Sequence, residues 1–140
     1  MTADENKSAV QEFYDQWNSG IIDFERLVDE NMKDHQPDRE PGTGRDQFRH
    51  AIEGVMDAVP DSTWTTLRLI AEDDLVVCHN TWSGSYGGKV FRGVATPDGQ
   101  RFCVEHIHVY RLSDGRIAEH WVVRDDLGML QQIGAIATPG

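Results

Sequence analysis

The stretch Arg101–Gly134, RFCVEHIHVYRLSDGRIAEHWVVRDDLGMLQQIG, decides the fold and carries most of the candidate chemistry of this chain. Asp114-Gly115 separates two runs rich in β-branched and aromatic residues, which predicts antiparallel strands over 101–112 and 116–124 joined by a tight turn. Asp125-Asp126 precedes a short apolar helical pattern, and either side chain can cap that helix. The stretch therefore predicts a β-hairpin that leads directly into a closing helix.

Upstream of the hairpin, the hydrophobic period changes from helical to extended near residue 63. The apolar positions and turn signals predict seven segments: helices over 4–19, 21–28 and 46–59, a loop over 29–45 after a brief extended segment near 32–35, strands from 63 to the turn at 72–74 and over 75–83, and a short strand over 89–94 after a glycine-rich connection. Helices followed by a meander of antiparallel strands indicate an α+β fold. We expect a single domain over residues 1–140, with a curved sheet wrapped over the N-terminal helices as a cone whose open end forms a pocket.

Charge and composition limit the classes of partner. The formal net charge of -11 disfavours a nucleic acid or an anionic membrane as partner, because both would be repelled. The N-terminal residues lack the basic and apolar regions of a signal peptide, and no apolar run approaches the roughly 20 residues that span a bilayer. Two cysteines cannot form a disulfide framework. These features predict a cytoplasmic protein.

His106 and His108 lie at i, i+2 on the predicted strand, so their side chains share one face. This spacing is compatible with three interpretations. The first is a metal site, but the cupin-like pattern that it suggests requires a glutamate shortly downstream, and 109–112 contains none. The second is a pair of polar residues on a partly exposed strand. The third is an acid/base site without a cofactor, in which a histidine faces Asp125 across a cavity.

Alternation along the last strand places Trp121 and Asp125 on one face and Arg124 on the other. We expect Asp125 to point into the cavity and Asp126 to cap the helix, although capping alone could explain either aspartate. In an apolar pocket the inward carboxyl would have a raised pKa, which suits proton transfer near neutral pH. On this interpretation, the side chain of Arg124 points away from the site.

Aromatic side chains supply candidate walls for an apolar or aromatic ligand. The substrate-binding candidates are His35, in the proline-rich loop that could fold over the mouth of the cone, and Trp64, Trp82, Tyr110 and Trp121.

The order of elements and several local motifs resemble the SnoaL-like polyketide cyclases, also called ester cyclases, of the nuclear-transport-factor-2-like superfold. The resemblance covers nearly the whole chain. Its motifs are His35-Gln36-Pro37, Gly44-Arg45-Asp46-Gln47-Phe48, Val59-Pro60-Asp61, the segment 114–121 (DGRIAEHW) and the segment 125–134 (DDLGMLQQIG).

This resemblance implies a cone-shaped α+β barrel that dimerises through its sheet. It also implies an intramolecular aldol condensation without cofactor or metal, acting on an aromatic polyketide or a related apolar carbonyl compound. The carboxyl matched by Asp125 would be the acid/base group, assisted by His106 or His108.

Two alternatives remain open from the sequence. One is a protein that binds a small ligand without turning it over. The other is a relative with different chemistry, such as a hydroxylase or an epoxide hydrolase, since the superfold hosts many reactions. Arg111 and Asp125 could supply part of the Asp-Arg-Asp arrangement that epoxide hydrolysis uses, but the sequence offers no clear third member.

Overall fold

The computed structural model describes residues 1–37, 40–87 and 99–137. The elements in chain order are α1 (Ala3–Ser19), α2 (Phe24–Leu27), β1 (Val28–His35), β2 (Gly42–Thr43), α3 (Arg45–Ala58), β3 (Thr63–Glu72), β4 (Leu75–Tyr86), β5 (Gln100–Ser113), β6 (Arg116–Arg124) and α4 (Asp126–Gln132). The α+β prediction is confirmed. The long helices and the C-terminal hairpin lie within a few residues of their predicted bounds.

Helix α1 is defined at both ends by its own sequence. Thr2 and Glu5 form a capping box, each side chain bonding to the backbone N–H of the other residue. Gly20 ends the helix with φ of 91°, a left-handed conformation that glycine adopts without strain. The apolar stripe between them (Val10, Phe13, Tyr14 and Trp17) is buried against the sheet.

The described strands form one six-stranded sheet in the order β2-β1-β6-β5-β4-β3. Neighbouring strands are antiparallel except β1 and β6, which run parallel. The edge strands β2 and β3 do not pair with each other in the described ranges, so the sheet is open and curved. The expectation of a barrel is wrong in this respect.

The segment 28–35 is a full strand rather than part of a helix and a loop. The predicted helix over 21–28 shortens to Phe24–Leu27, and Val28 begins β1. The predicted loop over 29–45 contains β1 and the two-residue strand β2. The sequence of β1, VDENMKDH, lacks regular apolar alternation, and the strand is held by parallel pairing with β6. Tertiary pairing therefore overrides weak local preference here.

Strand β4 continues past the predicted end at residue 83 and runs to Tyr86. Gly84 lies within it because the α3–β3 connection passes very close: a Cβ at this position would lie 2.5 Å from Val59 Cγ1. Glycine here permits close approach and does not signal a flexible linker. The predicted strand over 89–94 lies outside the described residues.

A β-bulge on β6 determines which of its side chains face the helices. Near the turn, Leu112 pairs with Ile117, but Arg111 pairs with Glu119, so Ala118 is one extra residue on β6. Beyond the bulge, His108 pairs with Val122 and therefore shares a face with it. A regular hairpin would have paired His108 with Trp121. The bulge thus exchanges the two faces of β6 relative to β5.

Candidate active site

A cavity of about 450 Å³ lies between the helices α1 and α3 and the concave face of the sheet. This volume lies in the usual range for small-molecule sites. Its apolar wall is largely aromatic and includes Phe13, Tyr14, Trp17, Phe48, Trp64 and Trp82. Trp64 stacks on Trp82 with their ring centroids 5.6 Å apart and an interplanar angle of 16°. Stacked indoles form a flat wall that suits a planar apolar ligand.

Three polar side chains from three strands form a buried hydrogen-bonded chain along the cavity. His108 Nδ1 lies 2.8 Å from His120 Nε2, and His120 Nδ1 lies 2.6 Å from Asp34 Oδ1. All three residues are at most 6% exposed and line the cavity. Parallel pairing of Asp34 with His120, and the β5–β6 register beyond the bulge, bring them together. We call Asp34, His120 and His108 the relay.

The hydrogen bonds of the relay assign its protons. Gln36 Nε2 donates to both carboxylate oxygens of Asp34, at 3.0 Å each, an arrangement that suits an ionised carboxylate. The carboxylate then accepts the Nδ1–H of His120, and His120 Nε2 accepts the Nδ1–H of His108. The remaining ring nitrogen, His108 Nε2, carries a lone pair. It is buried and has no hydrogen-bond partner among the described residues.

The surroundings of His108 keep its imidazole neutral. Burial, followed by the neighbouring His120, His106 and Arg124, holds the pKa of His108 well below its ordinary value. The ring stacks on Tyr110 at 5.9 Å and on His120 at 5.1 Å. A neutral, oriented imidazole with a free lone pair is chemically a base.

Two tyrosines supply the opposite polarity beside this base. The hydroxyls of Tyr14 and Tyr110 are hydrogen-bonded to each other, and both residues line the cavity. Burial raises the pKa of both tyrosines well above its ordinary value, so both hydroxyls stay protonated. Since one hydroxyl donates to the other, the accepting hydroxyl retains a proton that it can donate to a ligand oxygen.

A cation also reaches the cavity. The side chain of Arg124 is 4% exposed and lines the cavity. Its Nε and Nη2 donate to Asp126 at 3.0 to 3.3 Å, and its Nη1 donates to Gln36 Oε1. The expectation that Arg124 points away from the site is wrong, because the β6 bulge turns the side chains of His120, Val122 and Arg124 inward.

Five of the predicted site residues lie at the cavity: His106, His108, Trp64, Trp82 and Tyr110. His106 packs edge-on against Trp64 and Trp82, with ring centroids 5.3 and 5.8 Å apart. The sequence prediction that the two histidines share one face is therefore confirmed.

His35 and Trp121 lie on the convex face of the sheet, away from the cavity. Their rings stack in parallel at 5.0 Å, and His35 Nε2 lies 2.6 Å from Glu119 Oε2. Glu119 also accepts from Arg111 Nε at 3.1 Å, and the bond to His35, followed by that to Arg111, lowers the pKa of this carboxyl. The expectation that His35 and Trp121 line the pocket is not met. His35 follows Asp34 on β1, and Trp121 follows His120 on β6. Since Asp34 and His120 point into the cavity, the next residue on each strand points to the opposite face.

Asp125 lies outside the cavity as well. Its carboxylate caps α4 by accepting the N–H of Gly128 at 2.8 Å, and the residue is exposed. Asp126, which we expected to be the cap, instead pairs with Arg124. The predicted inward orientation of Asp125 is therefore wrong, and the roles of the two aspartates are exchanged.

Sequence reasoning missed Asp34, His120, Tyr14, Gln36 and Arg124 as site residues. Asp34 and Gln36 flank His35 in the HQP motif, so that motif marks the correct place in the chain but not the correct side chain. The alternation that puts Arg124 on the face opposite Trp121 puts His120 there too, and only the bulge reveals that this face is the inner one.

Among residues 1–37, 40–87 and 99–137, no group of three or more His, Cys, Asp or Glu side chains is arranged to hold a metal ion. No helix within the same ranges is both long and apolar enough to cross a membrane.

Comparison with known proteins identifies the family of the chain. The family model for the SnoaL-like polyketide cyclases matches residues 7–133. The chain belongs to this family. A search of curated proteins finds no match.

Solved structures of similar proteins share the fold along nearly their whole length. IdmH, a proposed polyketide cyclase from Streptomyces antibioticus, is 28% identical with a TM-score of 0.77, covering 92% of this chain and 98% of its own. AclR, a proposed hydroxylase from Streptomyces galilaeus, is 25% identical with a TM-score of 0.81, covering 96% and 99% respectively. A SnoaL-like protein from Jannaschia sp. CCS1 has a TM-score of 0.84 at 20% identity and supports the fold alone; the match covers 98% of this chain and 95% of that one.

Proposed function

We propose that this member of the SnoaL-like family is a cofactor-independent acid/base enzyme. Its reaction would be an intramolecular aldol-type ring closure of an aromatic polyketide or a related apolar carbonyl compound. The observation that carries the proposal is the relay, which ends in a neutral imidazole at the wall of an aromatic cavity. Family membership and the similarity to IdmH support the reaction class.

In the proposed reaction, His108 Nε2 removes a proton from the carbon next to a substrate carbonyl. The Nδ1–H of His108 then passes to His120 Nε2, and the Asp34 carboxylate, 2.6 Å from His120 Nδ1, stabilises the imidazolium that forms on His120. The charge gained with the substrate proton thereby rests on the ring that faces the carboxylate and not on His108. This matters because burial strongly disfavours an imidazolium at His108.

The enolate formed in this step attacks a second carbonyl of the same molecule. A carbon–carbon bond forms, and the oxygen of the second carbonyl takes up a proton as the relay reverses. The accepting hydroxyl of the Tyr14–Tyr110 pair stabilises the enolate oxygen by donating a hydrogen bond to it. Protons balance over the cycle, so neither a redox partner nor a metal appears in these steps.

This proposal differs from the expectation based on Asp125. The carboxylate of Asp125 is exposed and accepts the N–H of Gly128, so it lacks both the position and the burial of a cavity base. We assign the base to His108 and place His106 in the substrate-contacting wall beside Trp64 and Trp82.

The test uses a synthetic anthraquinone that carries a β-ketoester side chain. In D₂O, the wild type should exchange the proton between the two carbonyls for deuterium, and in H₂O it should form the cyclised isomer of unchanged mass, both followed by mass spectrometry and NMR. His108→Ala should lose at least about 100-fold in exchange rate. His79→Ala, a histidine on the convex face, is the control and should retain it. Equal rates for His108→Ala and wild type would refute the assignment of the base.

The same assay separates the other interpretations. Hydroxylation, suggested by the similarity to AclR, would add one oxygen atom to the product and consume O₂. A binding protein without turnover would elute together with the anthraquinone in size-exclusion chromatography, while neither exchange nor cyclisation would occur.

We further propose that the convex face of the sheet pairs with a second copy of the chain. Cross-strand partners form an apolar row of Ile70, Val77, Val109 and Trp121 over four neighbouring strands. Ile70 in this row is 57% exposed, and Val123, two residues after Trp121 on β6, is 71% exposed. Burial of such a contiguous apolar patch favours association.

A further inference from the structure

We infer that Gln36 is a positioning residue that, bridged to Arg124, keeps the Asp34 carboxylate ionised and so keeps the lone pair of His108 Nε2 available. The inference rests on the proposed function, because it concerns how the proposed base is held ready. Gln36 contacts Asp34 and acts on His108 through Asp34 and His120.

The amide of Gln36 is oriented from both of its ends. Its Nε2 donates to both oxygens of Asp34 at 3.0 Å, while its Oε1 accepts from Arg124 Nη1. A reversed amide would place an acceptor against the carboxylate and a donor against the guanidinium. Both contacts would be repulsive, so the amide has one favourable orientation.

Arg124 is itself fixed in place. Three contacts of 3.0 to 3.3 Å from its Nε and Nη2 bind the carboxylate of Asp126, and the side chain is 4% exposed. The guanidinium therefore presents Nη1 to Gln36 at a defined position. A hydrogen bond from a cation polarises the amide and strengthens its donation to Asp34.

The consequence for the relay follows from its proton balance. When the relay takes up one proton, His120 becomes an imidazolium that faces the Asp34 carboxylate, and His108 carries its hydrogen on Nε2 instead of Nδ1. Two N–H···O contacts from Gln36 draw negative charge from the carboxylate, which weakens its stabilisation of the imidazolium and opposes this uptake. Without them, the relay would take up its proton at a higher pH, and Nε2 would be blocked at neutral pH.

Other titratable or charged groups also face the relay. From α1, α3, β4, β5 and β6 these are, respectively, Tyr14, His50, Cys78, His106 with Tyr110, and Arg124. Gln36 contacts the carboxylate of Asp34 directly and donates to both of its oxygens.

The experiment observes the ring nitrogens of His108 and His120 by ¹⁵N NMR in the full chain, without any substrate. In the wild type near neutral pH, His108 should show a protonated Nδ1 and a bare Nε2. Gln36→Met and Gln36→Glu preserve the length of the side chain. Both should move proton uptake by the relay to a pH about one unit or more higher. Gln36→Glu should move it further, because two carboxylates then face each other.

Gln47→Met is the matched control, since the side chain of Gln47 is exposed and accepts only from the N–H of Thr43 in the described hydrogen bonds. Its relay should titrate as in the wild type. A role for Gln36 in packing alone predicts wild-type titration in both isosteric variants and would overturn the inference. A wild-type spectrum with hydrogen on Nε2 of His108 would overturn it as well, even if neither variant folds. A wild-type tautomer as expected, together with no exchange of the anthraquinone, would refute the proposed function while leaving the inference intact.

Discussion

His120 Nδ1 lies 2.6 Å from Asp34 Oδ1, and this contact joins β6 to β1, the last and the first strands in chain order. Both residues are 5% exposed. A carboxylate at this depth requires hydrogen-bond donors, and it receives them from His120 and Gln36. The pair therefore fixes which ring nitrogen carries the hydrogen in His120 and, through it, in His108.

Replacement of Asp34 by Asn should remove the base without removing the hydrogen-bonded chain. The amide can donate an N–H to His120 Nδ1, so His120 then carries its proton on Nε2 and donates to His108. His108 must place its own proton on Nε2, where no lone pair remains. We expect the α-proton exchange rate to fall by about 100-fold or more.

The control for this variant is Asp29→Asn, on the same strand, since in the described part of the chain Asp29 accepts the N–H of Asn31 and lies outside the relay. Circular dichroism and thermal melting should show both variants folded. Exchange by Asp34→Asn at the wild-type rate would contradict the role of the relay.

The pH dependence of stability follows from the lowered pKa of His108. Because burial favours the neutral ring, the folded chain binds fewer protons at this site than the unfolded chain does. The stabilising contribution is complete above the unfolded value of about pH 6.5 and is lost as the pH falls toward the folded pKa. The melting temperature should therefore fall as the pH drops below about 6.5.

His108→Gln should flatten this slope, although its melting temperature at neutral pH should also be lower. His79→Gln is the control, because it removes a histidine of the convex face whose side chain is 16% exposed, and it should keep the wild-type slope. The same slope in all three proteins would show that another group governs the acid transition.

The sequence predicted most elements of the fold because their signals are local. Gly20 ends α1, Asp114-Gly115 forms the turn with φ of 49° and 79°, and an aspartate caps α4. The pairing of β1 with β6 is different in kind. The β1 sequence VDENMKDH carries three acids and a lysine, and pairing with β6 and β2, which are distant in sequence or very short, makes it a strand.

The site was predicted less well than the fold, for one geometric reason. Beyond Ala118, alternation correctly divided 119–124 into two sets of side chains, but it cannot say which set faces inward. The single extra residue Ala118 decides this, since it changes the partner of His108 from Trp121 to Val122. Trp121 and Asp125 were therefore expected inside, whereas His120 and Arg124 occupy that position.

Asp125→Ala should test the reassignment of the two aspartates. Loss of the cap to Gly128 N–H should cost about 1 kcal/mol of stability, while Asp125→Asn, which can still cap, should cost much less. Both variants should retain α-proton exchange within a few-fold of wild type. If Asp125→Asn folded normally but lost exchange by about 100-fold, Asp125 would be the acid/base group after all.

The convex face should determine the oligomeric state. Val109→Lys places a charge in the centre of the apolar row, so a dimer formed there should dissociate. Light scattering after size-exclusion chromatography should give twice the mass of the chain for wild type and the mass of one chain for the variant. Ile21→Lys, an 80% exposed residue outside the sheet, is the control and should remain dimeric. A monomeric wild type would refute the proposed pairing.

Gly84→Ala should destabilise the protein, although glycine is usually the weaker residue in a strand. The added Cβ would lie 2.5 Å from Val59 Cγ1 and 3.0 Å from Asp61 Oδ1, so the α3–β3 connection would have to move. Overpacking of this kind costs about 1 to 3 kcal/mol. Gly54→Ala is the matched control, because a Cβ at Gly54 meets no atom within 4 Å and α3 should gain up to about 1 kcal/mol. Chemical denaturation should therefore move the two midpoints in opposite directions, and a stabilised Gly84→Ala would show that the close approach of Val59 does not constrain β4.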